Sequence, residues 1–251
     1  MTVTPTDFLA EATTRLTQLA ADAEAGGLDD AIALMVDAIN AGGVVQAFGT
    51  GHSEAFAMEI AGRAGGLIPT NKIALRDVAL YGSRSPQELV GSTLERETSV
   101  VDELFDVSLT GPNDVFIIAS NSGVNGSIVG VALKAKELGH PVIAVTSLQH
   151  TAAVEPKHAS GRRLSEIADV VIDNLAPYGD ATLTLSEGVS AGAISSITAA
   201  FIAQLLTLGV AQKLSQLGDV PPMYISANIP GGDEHNHALE DLYRDRIRRS
   251  A

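Results

Sequence analysis

The most constraining feature of the sequence is a series of short, uninterrupted apolar runs, each followed by a turn of small polar residues. The clearest runs are residues 44–48, 115–119 and 142–146. Their apolar residues are continuous rather than alternating, which is typical of strands buried on both faces of a sheet. Helical patterns separate these runs, and right-handed strand–helix–strand units build a doubly wound sheet. We therefore predict a three-layer α/β/α fold around a parallel sheet.

The remaining strands and the N-terminal region are predicted from weaker patterns. Residues 170–172 predict a fourth strand, and residues 68–75 predict a further strand on slighter grounds. Residues 6–43 predict two helices, because apolar residues recur at helical spacing on both sides of Gly26 and Gly27. This helical hairpin has apolar surface to spare, so we expect it to pack on the sheet domain and on a second subunit.

The sequence predicts an N-terminal helical hairpin over residues 1–43 and one large domain over residues 44–251. The longest predicted helix covers residues 188–217. Part of it, residues 189–211, approaches the length of a membrane span. Repeated Ser, Thr and Gly residues and the polar Gln204 interrupt it, so we interpret it as a buried core helix.

Composition excludes several classes of function. The chain has 16 basic and 30 acidic residues, a net charge of −14. Nucleic acids and anionic membranes attract surplus Lys and Arg, so neither is an expected partner. The absence of cysteine excludes disulfides, thiol nucleophiles and Cys-bound metals. With no signal peptide evident at the N-terminus, we expect a cytoplasmic protein. A phosphorylated ligand would be held by backbone N–H groups, hydroxyls and a few cations.

Three of the predicted strands end in residues suited to binding an anion. FGTGHS covers residues 48–53, SNSGVN covers residues 120–125, and the run 142–146 leads into Ser147. Because parallel strands end at the same edge of a sheet, these segments should converge. Glycines let backbone N–H groups approach the anion at a helix start. Glu54 occupies the third-glycine position of GxGxxG, which argues against a dinucleotide site.

The motifs FGTGHS, SNSGVNG and AVTS resemble the sugar isomerase (SIS) domain. The stretches GHSEAFAMEIAGRAGGLIPTN, KHASGRRLSEIADVVIDN and SANIPGGDEHN resemble a stand-alone bacterial branch of that family. The family includes phosphoheptose isomerase, N-acetylmuramic acid 6-phosphate etherase and sugar-sensing regulators. The resemblance implies a flavodoxin-like fold, a sugar-phosphate ligand, no cofactor and a homodimer or homotetramer.

The resemblance also implies which residues hold the phosphate. Ser120, Ser122 and Asn125 match the family's phosphate loop, although Asn125 stands where the family usually has Thr. Ser53 and Ser147 are weaker matches. The full predicted binding set is Gly51, His52, Ser53, Arg63, Ser120, Asn121, Ser122, Gly123, Asn125, Ser147 and Arg163.

Acidic and histidine residues are the predicted catalytic groups. His52, Glu59 and Arg63 fall on one face of the helix after the first strand, at spacings of seven and four residues. Glu59 is the candidate base. An exposed Glu–Arg pair that contributes little is the alternative. Relatives with etherase activity use a second acidic residue in a later loop, for which Glu97 is the first match and Glu95 the next.

The segment 231–236, GGDEHN, is the densest polar string in the chain. It is either a helix cap or part of the active site, to which SIS relatives bring a C-terminal His or Glu. Glu234 and His235 are therefore catalytic candidates. Arg163 could supply positive charge to the phosphate or simply face water. No metal site is expected, because the spacing of Asp233, His235 and nearby residues matches no zinc motif.

These residues together predict an enzyme that removes the C2 proton of a phosphorylated sugar. Two acids at Glu59 and Glu97 resemble the etherase arrangement, and this resemblance implies β-elimination, a lyase or dehydratase reaction, on an amino sugar such as an N-acetylhexosamine 6-phosphate. The first alternative is an aldose–ketose isomerase, in which the proton returns to the neighbouring carbon. The second is a non-catalytic sensor that binds the sugar phosphate without turning it over.

Overall fold

A computed structural model of the protein describes residues 2–91 and 93–249. Five strands form one parallel sheet in the order β2-β1-β3-β4-β5. Their bounds are β1 Val45–Gly49, β2 Thr70–Ile73, β3 Val115–Ala119, β4 Val142–Thr146 and β5 Val170–Asp173. This order is the flavodoxin-like form of the doubly wound sheet. The predicted α/β class and parallel sheet are confirmed.

Helices cover both faces of the sheet. Their bounds are α1 Pro5–Glu24, α2 Asp29–Asn40, α3 Glu54–Ile60, α4 Asp77–Leu80, α5 Thr93–Arg96, α6 Val100–Val107, α7 Gly126–Glu137, α8 Leu148–Ala153, α9 Ser195–Gln216 and α10 Gly232–Glu240. Helices α1, α2, α3 and α9 share one apolar cluster with the sheet, and α4 to α7 share a second cluster on the opposite face. The three layers and the N-terminal helices are thus confirmed.

The central strands supply both clusters because successive side chains point to opposite faces. In β3, Val115, Ile117 and Ala119 face the α9 side, whereas Phe116 and Ile118 face the α7 side. All five are buried. This two-sided burial explains why the strands appear in the sequence as continuous apolar runs.

Helix α9 is shorter than the predicted helix over residues 188–217. The apolar stretch before it forms an antiparallel hairpin of β6 Ala181–Ser186 and β7 Val189–Ala193. Asp180 fixes the boundary: its carboxylate accepts the N–H groups of Ile194 and Ser195 at 3.1 and 2.8 Å. A side-chain cap of this kind satisfies donors that the helix itself leaves free.

Helix α9 has the length and hydropathy of a possible membrane span, and it is the one such helix in the described part of the chain. Its buried side chains include Ile202, Leu206 and Val210, which pack in the cluster with α1, α2 and α3. The interpretation as a buried core helix therefore agrees with its packing.

Helix α3 is also shorter than predicted. Its expected start becomes a single 3₁₀ turn over Gly51–Ser53, and the helix ends at Ile60 rather than near residue 64. Gly62 and Gly65 follow with φ values of 76° and 79°, a conformation that stops a helix and favours glycine.

The C-terminal segment covers the edge of the sheet at β2. Asn71 donates through Nδ2 to the carbonyl oxygen of Arg246 at 2.6 Å, and its Oδ1 accepts the N–H of Arg248 at 2.8 Å. This pairing occupies an edge strand that would otherwise be open to another chain. It also carries three arginines to the side of the sheet.

A buried carboxylate joins this segment to the sheet. Asp114 is fully buried and accepts the N–H groups of Val44 and Gly111 and the side-chain amide of Gln46, each at 2.8 Å. It also pairs with Arg246 at 2.5 Å. A buried charge is stable only when partners replace the lost water, and Asp114 has four.

We predict that Asp114→Ala lowers the free energy of unfolding by about 3–5 kcal/mol, because it leaves Arg246 and buried N–H groups without an acceptor. Urea denaturation would measure the loss. The matched control is Asp169→Ala, since Asp169 also accepts a strand's N–H, that of Val142, but is partly exposed and pairs with Lys136. Its expected loss is about 1 kcal/mol. Equal losses in the two variants would contradict the role assigned to Asp114.

Candidate functional site

The candidate site lies at the carboxyl ends of β1 and β3, which are neighbours in the sheet with Gly49 paired to Ala119. Two segments follow these strands: the β1 turn, residues 50–53, and the β3 turn, residues 120–125. Both turns border one small cleft, which also receives residues from the end of β5 and the start of α9. The cleft is lined by His52, Ser53, Phe56, Ala119, Ser120, Asn121, Val145, Asn174, Ser195, Ser196 and Ala199.

The β3 turn has the geometry of an anion-binding loop. Gly123 has φ of 64°, and a Cβ there would lie 3.3 Å from the hydroxyls of Thr146 and Thr151. Its N–H donates to Ser120 Oγ at 3.1 Å. Within the described residues, the N–H groups of Ser122, Val124 and Asn125 have no acceptor. The turn leads into the 12-residue helix α7, whose positive end adds to the attraction for an anion.

The β1 turn is equally tight. A Cβ on Gly49 would collide with the carbonyl oxygen of Ser53, and Gly51 has φ of 57°, so both positions require glycine. The turn presents the exposed imidazole of His52 and the partly buried Ser53 to the cleft. The structure brings these two residues together with Ser120 and Asn121 of the β3 turn.

Glu95 lies between the two turns. Helix α5, which carries it, packs directly on the start of α7: a Cβ on Gly126 would overlap the carbonyl oxygen of Arg96, and Ser127 Oγ donates to Glu95 O at 2.7 Å. Glu95 Oε1 accepts from Asn125 Nδ2 at 3.4 Å, and Oε2 is 3.6 Å from the point a Cβ on Gly51 would occupy. A carboxylate thus faces both turns.

Asn125 has one buried atom without a partner. Its Nδ2 contacts Glu95, but its Oδ1 has no hydrogen-bond donor among the residues that the structure describes. A buried acceptor without a partner is costly, so a donor from a bound molecule would be stabilising here. A hydroxyl-bearing ligand with an anionic group fits both Asn125 and the free N–H groups of the β3 turn.

Glu97, the first sequence candidate for the second acid, is engaged elsewhere. Its carboxylate accepts from Arg84 at 2.8 and 3.2 Å and from the hydroxyl of Ser99. These bonds lower the pKa of Glu97 below its usual value. Arg84 also binds Glu103 on α6 at 2.6 Å. The structure therefore uses Glu97 to anchor the loop that carries α5, and places Glu95 between the β1 and β3 turns instead.

Glu59 and Arg63 do form the predicted i,i+4 pair, but their pair lies away from the cleft. Glu59 also accepts from Gln204 on α9 at 2.6 Å. It follows Ser53 by six residues, about 9 Å along a helix axis. Arg63 lines a different cavity beside β2. Within the chain, Glu59 therefore joins α3 to α9 rather than facing the cleft.

The side chains of two predicted binding residues form hydrogen bonds at the ends of α8 instead of reaching the cleft. Ser147 is fully buried and caps α8, because its Oγ accepts the N–H of His150 at 2.9 Å and donates to Ala176 O at 2.6 Å. Arg163 donates to the carbonyl oxygens of Thr151 and Val154 at the end of α8. Neither side chain is directed into the cleft, because both close off a helix terminus.

Glu234 and His235 lie on α10, at the opposite end of the sheet. The C-terminal segment packs with Val44 and Ile68, which precede β1 and β2, and His235 Nε2 contacts the carbonyl oxygen of Met223 at 3.0 Å. Within one protomer, α10 is therefore remote from the cleft. Within residues 2–91 and 93–249, no group of His, Asp and Glu side chains is arranged to hold a metal ion.

Sequence reasoning missed two contributors to the cleft. Asn174 follows β5 and donates through Nδ2 to Asn121 Oδ1 at 3.2 Å, which orients the β3 turn. The sequence feature that could have indicated Asn174 is the polar pair Asp173-Asn174 at the end of a fourth strand. Ser195 begins α9, a boundary that the apolar run before it concealed.

Comparison with known proteins agrees with this geometry. The family model for the SIS domain matches residues 7–147. The chain belongs to the SIS domain family. A UPF0309 protein of Listeria monocytogenes is 38% identical, with 92% of this chain and 94% of the relative covered. A UPF0309 protein of Geobacillus kaustophilus is 35% identical, with 89% and 88% covered. The predicted resemblance is confirmed.

Solved structures share the fold of this SIS protein. The phosphoheptose isomerase of Francisella tularensis aligns with a TM-score of 0.51 and 20% identity, covering 84% of this chain and 100% of the other. The phosphoheptose isomerase of Neisseria gonorrhoeae aligns with a TM-score of 0.51 and 18% identity, covering 83% of this chain and 95% of the other. An E. coli CFT073 protein in complex with A5P aligns with a TM-score of 0.50 and 15% identity, covering 85% of this chain and 94% of the other. At these identities the likeness shows the fold.

We predict that Arg84→Met destabilises the protein near neutral pH and that this effect disappears in acid. Arg84 lowers the pKa of Glu97 and Glu103 from their ordinary value of 4.5. The two carboxylates therefore stabilise the fold above that value, and their contribution is lost as the pH falls through the lowered pKa values. Urea denaturation of wild type and variant across this pH range would measure the difference.

The control for this prediction is Arg244→Met, which removes an exposed arginine paired with Asp241. An exposed pair contributes little, so its loss should be small at every pH. A difference between wild type and Arg84→Met that does not change with pH would contradict the assignment of Arg84 as the anchor of Glu97.

Proposed function

We propose that this SIS protein is an aldose–ketose isomerase of a phosphorylated sugar, with the phosphate held by the β3 turn and Glu95 as the base. The observation that carries the proposal is the position of Glu95 Oε1 and Oε2 between Asn125 and Gly51. This arrangement supports one carboxylate acting beside an anchored phosphate. It also supports Glu95, rather than Glu59 or Glu97, as the acidic residue that contacts the substrate.

Phosphate binding in this proposal depends on neutral donors. The N–H groups of Ser122, Val124 and Asn125 are free among the described residues, and the hydroxyls of Ser120 and Ser122 lie in the same turn. The start of α7 adds its positive dipole. Anchoring one end of the substrate lets binding energy orient the reacting carbons at the base.

The proposed reaction needs one base and one group that moves a proton between oxygens. The Glu95 carboxylate takes the C2 proton of the open-chain aldose, and the electron pair forms a C1–C2 double bond as O1 gains a proton. The enediol then loses its O2 proton, and Glu95 returns the carbon-bound proton to C1. The imidazole of His52, in the β1 turn beside Glu95, is the candidate for the O1 and O2 proton transfers.

Isomerisation fits these contacts better than β-elimination. Elimination requires a second acid to protonate the group leaving C3, and the sequence assigned that role to Glu97. Arg84 and Ser99 occupy the carboxylate of Glu97, and Arg63 and Gln204 occupy that of Glu59. Isomerisation needs only one carboxylate at the carbon atoms. The isomerase names of the solved Francisella and Neisseria proteins lend further support.

The oligomer and location belong to the same proposal. A homodimer or homotetramer would allow surface groups such as Glu234 and His235 to contribute to a neighbour's cleft. The net charge of −14 supports a small phosphorylated ligand in the cytoplasm over nucleic acid or membrane. The division at residue 43, between hairpin and SIS domain, remains a prediction.

We predict that Glu95→Gln slows exchange of the substrate's C2 proton by about 10²- to 10⁴-fold, because the amide keeps the shape of the side chain but cannot accept a proton. The protein would be incubated in D₂O with hexose, heptose and N-acetylhexosamine phosphates and followed by NMR. Deuterium in a ketose product supports isomerisation. An unsaturated product would show elimination instead, and binding without exchange would show a sensor.

The matched controls are Glu59→Gln and Glu97→Gln, which remove the same charge from carboxylates held in ion pairs. Both should retain the exchange rate within about tenfold, since neither carboxylate lies between the β1 and β3 turns as that of Glu95 does. Loss of exchange in Glu59→Gln with full exchange in Glu95→Gln would reject Glu95 as the base.

A further inference from the structure

A second cavity lies beside β2, away from the cleft. Its volume is about 390 Å³, within the range of small-molecule sites. We call it the β2 cavity; it is lined by Met58, Ala61, Gly62, Arg63, Lys72, Asp77, Tyr81, Arg248 and Arg249. None of these residues lines the cleft. Three separate parts of the chain thus contribute to it: the end of α3, the segment from β2 to α4, and the C-terminal segment.

The β2 cavity concentrates positive charge in an acidic protein. Four of its lining residues are cationic and one is anionic, although the chain as a whole carries −14. Arg63 is paired with Glu59, whereas Lys72 is 3.8 Å from Glu54, beyond hydrogen-bond range. With Arg249, which lies 3.7 Å from Glu240, three of the four cations have a nearby carboxylate as a counter-charge, and Arg248 has no salt bridge among the described residues.

The two arginines from the C-terminal segment mostly contact neutral groups. Arg248 stacks on the ring of Tyr81 at 3.7 Å and donates to the carbonyl oxygen of Val107. Arg249 donates to the carbonyl oxygens of Thr70 and Ile68, with Glu240 at 3.7 Å. These contacts fix the guanidinium groups but leave much of their charge uncompensated. Fixed cations bind an anion without first having to be ordered.

Asp77 adds a hydrogen-bond acceptor to the cavity wall. One of its carboxylate oxygens accepts the N–H of Ala74 at 2.9 Å, and the side chain is nearly buried. Burial raises its pKa, while Arg248, Lys72 and Arg76 oppose that effect. An acceptor beside four cations suits a hydroxyl group next to an anionic group. Met58, Tyr81 and the small residues provide the apolar surface of a ring-sized pocket.

We propose that the β2 cavity is a second ligand site, which binds a small phosphorylated compound bearing hydroxyl groups, separately from the cleft. The phosphate contacts Arg63, Lys72 and Arg248, and a hydroxyl donates to Asp77. A nucleic acid is disfavoured by the overall negative charge.

Isothermal titration of the full-length protein with inorganic phosphate tests this proposal. The wild type should bind phosphate at two sites. Arg63→Gln/Lys72→Gln should weaken one site by about tenfold or more, because each charged hydrogen bond contributes strongly to anion binding. Ser120→Ala/Ser122→Ala should weaken the other. If the double variant does not fold, the single variant Arg63→Gln replaces it in this test, because the Arg63 side chain is 47% exposed.

The matched control is Lys136→Gln/Arg244→Gln, which removes two ion-paired cations from elsewhere on the surface. It should leave both sites intact. Crystals soaked in selenate should show an anomalous peak between Lys72 and Arg248. Phosphate affinity in Arg63→Gln/Lys72→Gln equal to that of the control would overturn the proposal. Loss of both sites in either the cavity or the cleft variant would show a single composite site and overturn it equally.

Discussion

The site depends on the contact between two helices that have no room for a side chain between them. Gly126, at the start of α7, lies against the carbonyl oxygen of Arg96, at the end of α5. Because α7 begins directly after the β3 turn, this contact fixes α5 relative to the turn. Glu95 precedes Arg96, so its carboxylate is held beside Asn125. Arg84 secures the same end of α5 through Glu97, the residue after Arg96.

The sheet order explains why this contact occurs at a ligand site. Strands β1 and β3 are neighbours, yet the chain between them passes to the sheet edge to form β2 and then returns through α4, α5 and α6. The connection must cross over the carboxyl ends of the strands, which is where open α/β sheets bind ligands. An acidic residue on that connection is thus carried over the turns, whereas one on α3 runs down the side of the sheet.

The protein has two ways of attracting an anion. At the cleft, donors are mainly N–H groups and hydroxyls, which suits a chain with few basic residues. At the β2 cavity, cations from distant segments converge, and the C-terminal segment supplies two of them. That segment is anchored by Asn71 and Asp114, so order at the cavity depends on a buried carboxylate on the far side of β1. If the β2 cavity binds the proposed ligand, stability and ligand binding are linked at this edge.

The sheet and both turns could be predicted from the sequence, because each continuous apolar run specifies a buried strand and the residues after it must meet at one edge. The choice among the candidate acidic residues could not be predicted from the sequence. Helical spacing placed Glu59 and Arg63 on one face but could not show that Gln204 lies opposite that face. Glu95 and Glu97 are two residues apart, and only the contact with α7 selects between them.

The hairpin before α9 was missed for a related reason. Its residues 189–193 are apolar enough to extend the helical pattern, and the capping residue Asp180 lies nearly fifteen positions earlier in the chain. Such a boundary is set by tertiary contact rather than by local sequence. Asn174 was missed because its role is to orient Asn121 across the sheet.

The most direct test of the central claim is a crystal structure of the protein with a bound sugar phosphate. The measured quantity is the distance from the Glu95 carboxylate to C2 of the sugar. The account predicts phosphate oxygens on the N–H groups of Ser122, Val124 and Asn125 and a Glu95 oxygen about 3–3.5 Å from C2. A sugar whose phosphate lies in the β3 turn but whose C2 is beyond the reach of Glu95 would contradict it.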